Sequence, residues 1–281
     1  MSPFCTYAMV DWSGGNDTGP RPRRDAIWVG LVRDGAAEAP LYLRNRALAE
    51  AWLTGLIEQE LSAGRRLCLG FDFPFGYPQG FAAALTGRAD PLALWDWFEA
   101  RIADAPEANN RFDLAGDINL RLGLGRGPFW GNGLKRDIAG LARNKHSYAN
   151  PFADRRRVEH LAKGSFTCWQ MSGVGAVGGQ VMMGLPVLAR LRRRFAGHLA
   201  VWPFEPLDRP VALVEIWPSL QVGPAPEGWI KDAWQVRSVA VDLAGRAPDR
   251  LAAALAVTAP EEGWILDVPA PRPAGRAAGP S

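Results

Sequence analysis

Cysteine is scarce in this chain: there are three, Cys5, Cys68 and Cys168, with no C-x-x-C pair. An odd, dispersed set gives no disulfide framework, so a reducing cytoplasm is the expected compartment. Histidine is as rare, and His146, His160 and His198 have no metal-ligand spacing with one another or with Cys168. No run approaches the roughly 20 apolar residues of a membrane span. The opening MSPFCTYAMVDW lacks the charged start and long apolar stretch of a signal peptide. A G-x-S-x-G elbow is missing, which argues against a serine hydrolase. Charge of one sign is missing too: Lys+Arg 32 against Asp+Glu 29 leaves +3, less basic than a dedicated duplex binder. The expectation is a soluble intracellular protein without a membrane partner.

What the chain does have is apolar sequence cut into short pieces. Residues 4–11, 26–33, 40–44 and 67–72 read as strands, with a turn at Asp34-Gly35 joining the second and third. Between them, Leu48, Trp52, Leu53, Leu56, Ile57 and Leu61 recur at helical spacing over 46–63, and Gly64 stops that helix. Further strands are expected at 199–203, 211–216 and 263–266, with helices at 173–195, 230–245 and 248–257; Pro186 should kink the first of these. Strands regularly separated by helices predict an α/β domain. Residues 79–170, with an amphipathic helix near 91–103 and a Gly- and Arg-rich stretch, read as an insertion against one domain of 1–268. The Pro/Ala/Gly-rich tail at 269–281 reads as disordered. Trp95, Trp97, Trp130 and Trp169 suit core packing better than base stacking.

Four acids stand where a strand ends or a helix begins: Asp11 in YAMVDWSGG, Asp72 in LCLGFDFPFGYP, Glu215 in VALVEIWPSL and Asp232 in GWIKDAWQV. A carboxylate at the end of a buried strand is costly without a partner, and several such acids suit a hard divalent cation. Mg²⁺ or Mn²⁺ takes oxygen ligands from different elements, and two such ions can support phosphodiester cleavage. Asp232 also suits the positive end of a helix for structural reasons alone.

The order strand, hairpin, helix, strand, then a late helix with an acid resembles the ribonuclease-H-like fold. The motifs VDWSGG, GFDFPFGYP, VEIWPSL, KDAWQV and EEGWIL together are similar to an uncharacterised protein family of that superfamily, over about 4–266 and least clearly over 85–165. The resemblance implies a mixed sheet flanked by helices, and an active site at Asp11, Asp72, Glu215 and Asp232. Two departures stand out. The family's second Asp, a turn beyond the late acid, is replaced by Gln235, with Asp242 three turns on; and Asp72 leads into the rigid turn Phe73-Pro74-Phe75-Gly76.

Two functional expectations follow. The first is a metal-dependent phosphodiester or phosphoryl hydrolase, a nuclease-like enzyme using Asp11, Asp72, Glu215 and Asp232 with Mg²⁺ or Mn²⁺. Ser13, Lys231, Arg155 and Arg157 would contact nucleic acid or a nucleotide. Arginine runs at 21–24, 155–157 and 190–194 suit phosphate or a plain solvated surface. The second is a non-catalytic accessory or binding protein using the same cleft for a phosphorylated ligand or a partner. The glycines of SGVGAVGGQ suit close helix packing or a phosphate seat, and His146 a surface loop or a proton-transfer role.

Overall fold

Unbroken apolar runs become strands buried on both faces, and the helices between them supply the cover. The computed structural model describes residues 4–123, 125–220 and 222–270. It begins with β1 (Thr6–Asp11), β2 (Ile27–Arg33), β3 (Ala36–Ala37), β4 (Leu41–Leu43), α1 (Arg46–Ser62) and β5 (Leu67–Phe71). Then come α2 (Phe81–Thr86), α3 (Pro91–Glu99), the small hairpin β6 (Asp104–Ala105) and β7 (Ala108–Asn109), α4 (Arg111–Arg121) and α5 (Arg157–Leu161). The chain continues through α6 (Gly178–Arg194), β8 (Leu199–Val201), β9 (Val211–Glu215), α7 (Lys231–Gly245) and α8 (Pro248–Leu255). The expected tail disorder falls, beyond Ala270, outside the described residues.

The main sheet runs β3-β2-β1-β5-β9-β8, with β4 also pairing β2. β1, β5, β9 and β8 are mutually parallel, and β2 runs against β1 and against both short strands. This is the α/β architecture that the alternation of runs predicts, with a mixed sheet flanked by helices. Asp34 and Gly35 both take positive φ (50° and 81°), the geometry that joins β2 to β3 in a tight hairpin.

Side chains alternate across the strands, and that parity divides the interior in two. Ala8, Val10, Val29, Leu31, Leu69 and Leu213 face one core; Tyr7, Met9, Trp28, Val32, Ala212 and Val214 face the other. α1, α3 and α6 cover the first face. The second is covered by α7, by Leu251 of α8 and by the run Trp264–Leu266. The segment 79–170 does more than lie over this body. Its Phe81, Leu94, Trp95, Phe98, Phe112 and Ile118 belong to the same core as the first strand face. Trp95 and Trp169 are fully buried there, as packing residues.

Local signals set the helix ends. Asn45 caps α1 by accepting from the Leu48 N–H at 2.9 Å, and Asp90 caps α3 by accepting from Leu92 N–H at 2.9 Å, with Pro91 at the first helical position. α6 carries Pro186 inside it. Its arginines tie it to neighbouring elements: Arg190 to Glu50 at 2.6 Å, Arg192 to Glu205 at 2.9 Å, Arg193 to Glu99 at 3.2 Å and Arg194 to Glu58 at 2.8 Å. The third arginine run therefore bridges elements within the fold.

One expected strand is not formed. Residues 263–266 make a backbone bond to β9, Leu266 N–H to Glu215 carbonyl at 2.9 Å, but Gly263 (φ 75°) and Asp267 (φ 73°) turn the chain away on either side. Trp264, Ile265 and Leu266 are all buried in succession, as a plug in the second core and not as an alternating strand.

α7 lies directly on β2, where Gly30 takes part: a Cβ there would sit 2.4 Å from the backbone carbonyl carbon and oxygen of Val236. Backbone cannot yield as a side chain would. Gly30→Ala should lose about 1–3 kcal/mol in urea unfolding. Gly55→Ala on the open side of α1, where a Cβ meets nothing within 4 Å, should gain about 0.5–1 kcal/mol.

Candidate functional site

Parallel pairing of β1 and β5 in register sets Val10 against Phe71, so the next residues, Asp11 and Asp72, leave the sheet side by side at its carboxyl edge. That edge is where ligands bind in open α/β sheets. Because Val10 and Phe71 point to the first core, the two acids point the other way, toward the face that α7 covers. Their carboxyls hydrogen-bond each other. Asp72 Oδ1 also accepts from the Trp12 N–H at 2.7 Å.

α7 delivers the third acid. Asp232, in its first turn, accepts the Asp25 N–H at 2.8 Å. Asp25 has φ 58°, a left-handed conformation uncommon for a side-chain-bearing residue. Its carbonyl accepts the Ser13 hydroxyl at 3.1 Å, and that hydroxyl accepts the Gly15 N–H at 3.1 Å. Asp232 and Ser13 thus hold a strained turn that brings Asp25 to the same cleft.

The cleft, about 280 Å³, is lined by Asp11, Asp25 and Asp232, by the loop Trp12–Gly15, and by Arg111, Met171, Ser172, Ala176, Gly179 and Gln180. Asp72 lies behind Asp11 and lines a smaller adjoining pocket with Arg156 and Glu215. The loop after β1 sits tightly on α6: a Cβ on Gly14 would meet the Gly179 carbonyl at 2.6 Å. Gln180 Nε2 donates to Trp12 O at 2.7 Å. Close packing is therefore one role of the SGVGAVGGQ glycines. Arg46 donates to Ser13 O at 3.0 Å and pairs with Asp104, fixing the loop from its other side.

Crowded carboxyls resist ionisation. Burial raises Asp11 well above the usual carboxylate range, and the charge and hydrogen bond of Asp72, then Asp232 and Asp25, add to it. Burial likewise pushes Asp72 up to about 6, against the hydrogen bonds it accepts from Asp11 and Trp12. Burial and the neighbouring carboxyl together favour the protonated form of Asp11. Asp232 is raised as well, first by burial and then by Asp25, against the Asp25 N–H, Lys231 and Arg24.

Glu215 does not join them. The register Phe71↔Glu215 puts it one residue short of Asp72, on the opposite face of the sheet. There Arg156 grips it in a fork, 2.5 Å to Oε1 and 2.8 Å to Oε2, and the Phe75 N–H donates at 3.0 Å. The same guanidinium reaches Glu159 at 2.8 Å and the Glu262 carbonyl at 2.9 Å. Burial works against its charge, but Glu215 and Glu159 hold its pKa above the ordinary arginine value. The expectation that four acids meet is thus revised. Asp11, Asp72 and Asp232 lie within electrostatic reach with Asp25, while Glu215 is neutralised in a separate knot joining β9, α5 and the 262 turn.

The other expected contacts divide the same way. Ser13 lines the cleft, whereas exposed Lys231 acts on Asp232 by charge. Arg155 donates to the Ser165 carbonyl at 2.6 Å, and Arg157 pairs with Glu262 at 3.2 Å; neither lines the cleft. Gln235 bonds Ser219 at 3.1 Å, and His146 is an exposed loop residue. Asp25 and Arg111 were not singled out by sequence. Nothing in RRDAIW or NNRFDL marks them, because one depends on a positive φ and the other on how α4 meets α6.

Among the described residues, no three His, Cys, Asp or Glu side chains form a closed metal-ligand set. The residues still fit Mg²⁺ or Mn²⁺ in one form, since such ions are commonly held by one or two carboxylates plus waters and substrate phosphate. Asp11 on the cleft wall and Asp72 behind it are the carboxylates such a site would use.

Two outcomes check this electrostatic account. Arg156→Met leaves Glu215 and Glu159 buried without their cation and should cost about 3–5 kcal/mol in urea unfolding. A carboxyl raised in the folded chain destabilises it above the ordinary carboxylate pKa; for Asp72 the penalty grows from about pH 4 and is full above about 6. In EDTA, Asp11→Asn should therefore raise the Tm by about 2–4 °C at pH 8, and by less at pH 5. No protein-family model matches this chain, and neither a curated protein nor a solved structure is significantly similar to it.

Proposed function

We propose that the cleft is the site of a metal-dependent phosphoryl hydrolase on a ribonuclease-H-like sheet. The observation that carries this reading is the hydrogen-bonded Asp11–Asp72 pair at adjacent strand ends, with Asp232 and Asp25 close enough to raise it further. The strand order supports the fold part of the reading: β1 is central, with the antiparallel β2 on one side and the parallel β5 and β9 on the other.

Asp11 and Asp72 would hold Mg²⁺ or Mn²⁺. When bound, that ion would polarise a phosphoryl oxygen and acidify a water. The chain's own contribution is positioning. Trp12 N–H fixes the Asp72 oxygen, Asp232 holds the Asp25 turn through its N–H, and Arg46 pins the 13–15 loop against movement. Lys231 and Arg24 moderate the negative field at Asp232.

One observation favours the second reading, a binding protein without turnover: Glu215, an expected ligand, is neutralised by Arg156. The same experiment separates the two. Mn²⁺ binding is followed by calorimetry, and hydrolysis of bis(p-nitrophenyl) phosphate by absorbance, for wild type and Asp11→Ala. The hydrolase reading expects the Mn²⁺ heat to vanish in the variant and hydrolysis to fall by about 100-fold or more. Mn²⁺ binding without hydrolysis in wild type would leave the binding-protein reading. An unchanged Mn²⁺ heat in Asp11→Ala would remove the acid pair from either.

A further inference from the structure

The cleft is lined by a cation that has no salt-bridge partner among the described residues, although Asp104 acts on it from a distance. Arg111 begins α4 and lines the cleft shared by Asp11 and Asp232. Among the described residues it makes no ion pair: Nη1 donates to the neutral Asn109 Oδ1 at 2.6 Å, and the guanidinium lies 4.4 Å from the Phe112 ring centre. Its Nε is buried with no hydrogen-bond partner. Neighbouring arginines are different, since Arg46 forks onto Asp104 and the run 190–194 is paired throughout its charged members. Burial, then the charge of Arg46, brings Arg111 down to about 10, which still leaves it cationic at neutral pH. A half-buried guanidinium that lines the cleft and has no carboxylate partner matches an anion with two or more oxygens.

The wall beside it has the same preference. Gly179, the second residue of α6, lines the cleft, and a Cβ there would come 3.4 Å from Arg111 Nε. The guanidinium therefore lies beside the first turn of a helix of 17 residues, whose positive end also favours negative charge.

Size limits the ligand. About 280 Å³ is just below the usual range of small-molecule sites. It takes a phosphoryl group and one sugar- or aryl-sized substituent. Arg155, Arg157 and the 190–194 run, which would have tracked a strand, are bound to other parts of the fold. Among the described residues, exposed Arg21, Arg23 and Arg24, just before Asp25, and exposed Lys231, next to Asp232, adjoin cleft-lining residues in sequence. We infer that Arg111 is the seat of the substrate's anionic group, and that the substrate is a small phosphate ester, not a nucleic-acid strand. This rests on the reading of the cleft as a phosphoryl site, with the anion spanning from Arg111 toward the Asp11–Asp72 pair.

Calorimetry with inorganic phosphate on EDTA-treated protein tests the seat apart from the metal. Wild type should bind phosphate, Arg111→Gln about 10-fold or more weakly, and Arg111→Lys in between, because lysine keeps the charge and loses the fork. Asp11→Asn should bind phosphate at least as well as wild type. Melting temperatures of the Arg111 variants within about 3 °C of wild type would separate loss of the seat from loss of the fold. A single-stranded 12-mer should bind no more tightly than phosphate. Equal phosphate affinity in wild type and a folded Arg111→Gln, or no phosphate binding in wild type, overturns the seat. A 12-mer bound at least about 100-fold more tightly, with steep salt dependence, overturns the small-ligand assignment. Phosphate binding that depends on Arg111 in a protein with no Mn²⁺ binding would sink the metal reading alone. Mn²⁺ binding lost in Asp11→Ala, with phosphate indifferent to Arg111, would sink this one alone.

Discussion

The in-register parallel pairing of β1 with β5 is the constraint on which the candidate site depends. It sets two acids from positions 61 residues apart into adjacent places at a sheet edge, without any long side chain reaching across. Each strand is buried on both faces, so neither can slip by one residue without turning its apolar side chains into the wrong core. The register that protects the core therefore also holds together two carboxyls that repel when both are ionised. The raised pKa values of both carboxyls are the local consequence.

The buried knot at Arg156 does comparable work beside the acid pair. It joins β9 through Glu215, α5 through Glu159 and the 262 turn through a backbone carbonyl, and so ties the end of the long middle segment to the sheet and to the C-terminal plug. A guanidinium can serve three partners because its donors point in fixed directions in one plane. Acid pair and knot lie close together around Asp72 but differ in purpose. One is fully compensated and closed, whereas the other keeps like charges beside an open cleft and an arginine without an acidic partner.

Much of the secondary structure was readable because periodicity is local. The hairpin turn at Asp34-Gly35, the Asn45 cap of α1 and the Pro91 start of α3 each depend on a few neighbouring residues. The run 263–266 was misread for a similar reason. Three apolar residues after a glycine look like a strand, and only positive φ at Gly263 and Asp267 shows that the chain plugs a core instead. The site was partly readable. Asp11, Asp72 and Asp232 stood out because acids at the ends of apolar runs are unusual, and the fold brings them near each other. Glu215 carried the same local mark and went elsewhere, by one residue of strand parity. The arginine runs were poor guides, since composition does not show which cations meet carboxylates inside the fold.

Sequence by itself determined the α/β alternation, most strands and helices outside residues 79–170, and the presence of acids at strand ends, because backbone preference and burial pattern act over short spans. Tertiary structure alone decided which acids share a cleft, that Asp25 and Arg111 join them, and that Arg156 closes around Glu215. Those outcomes depend on register, face and helix docking, and residues far apart in sequence settle them only when the chain is assembled.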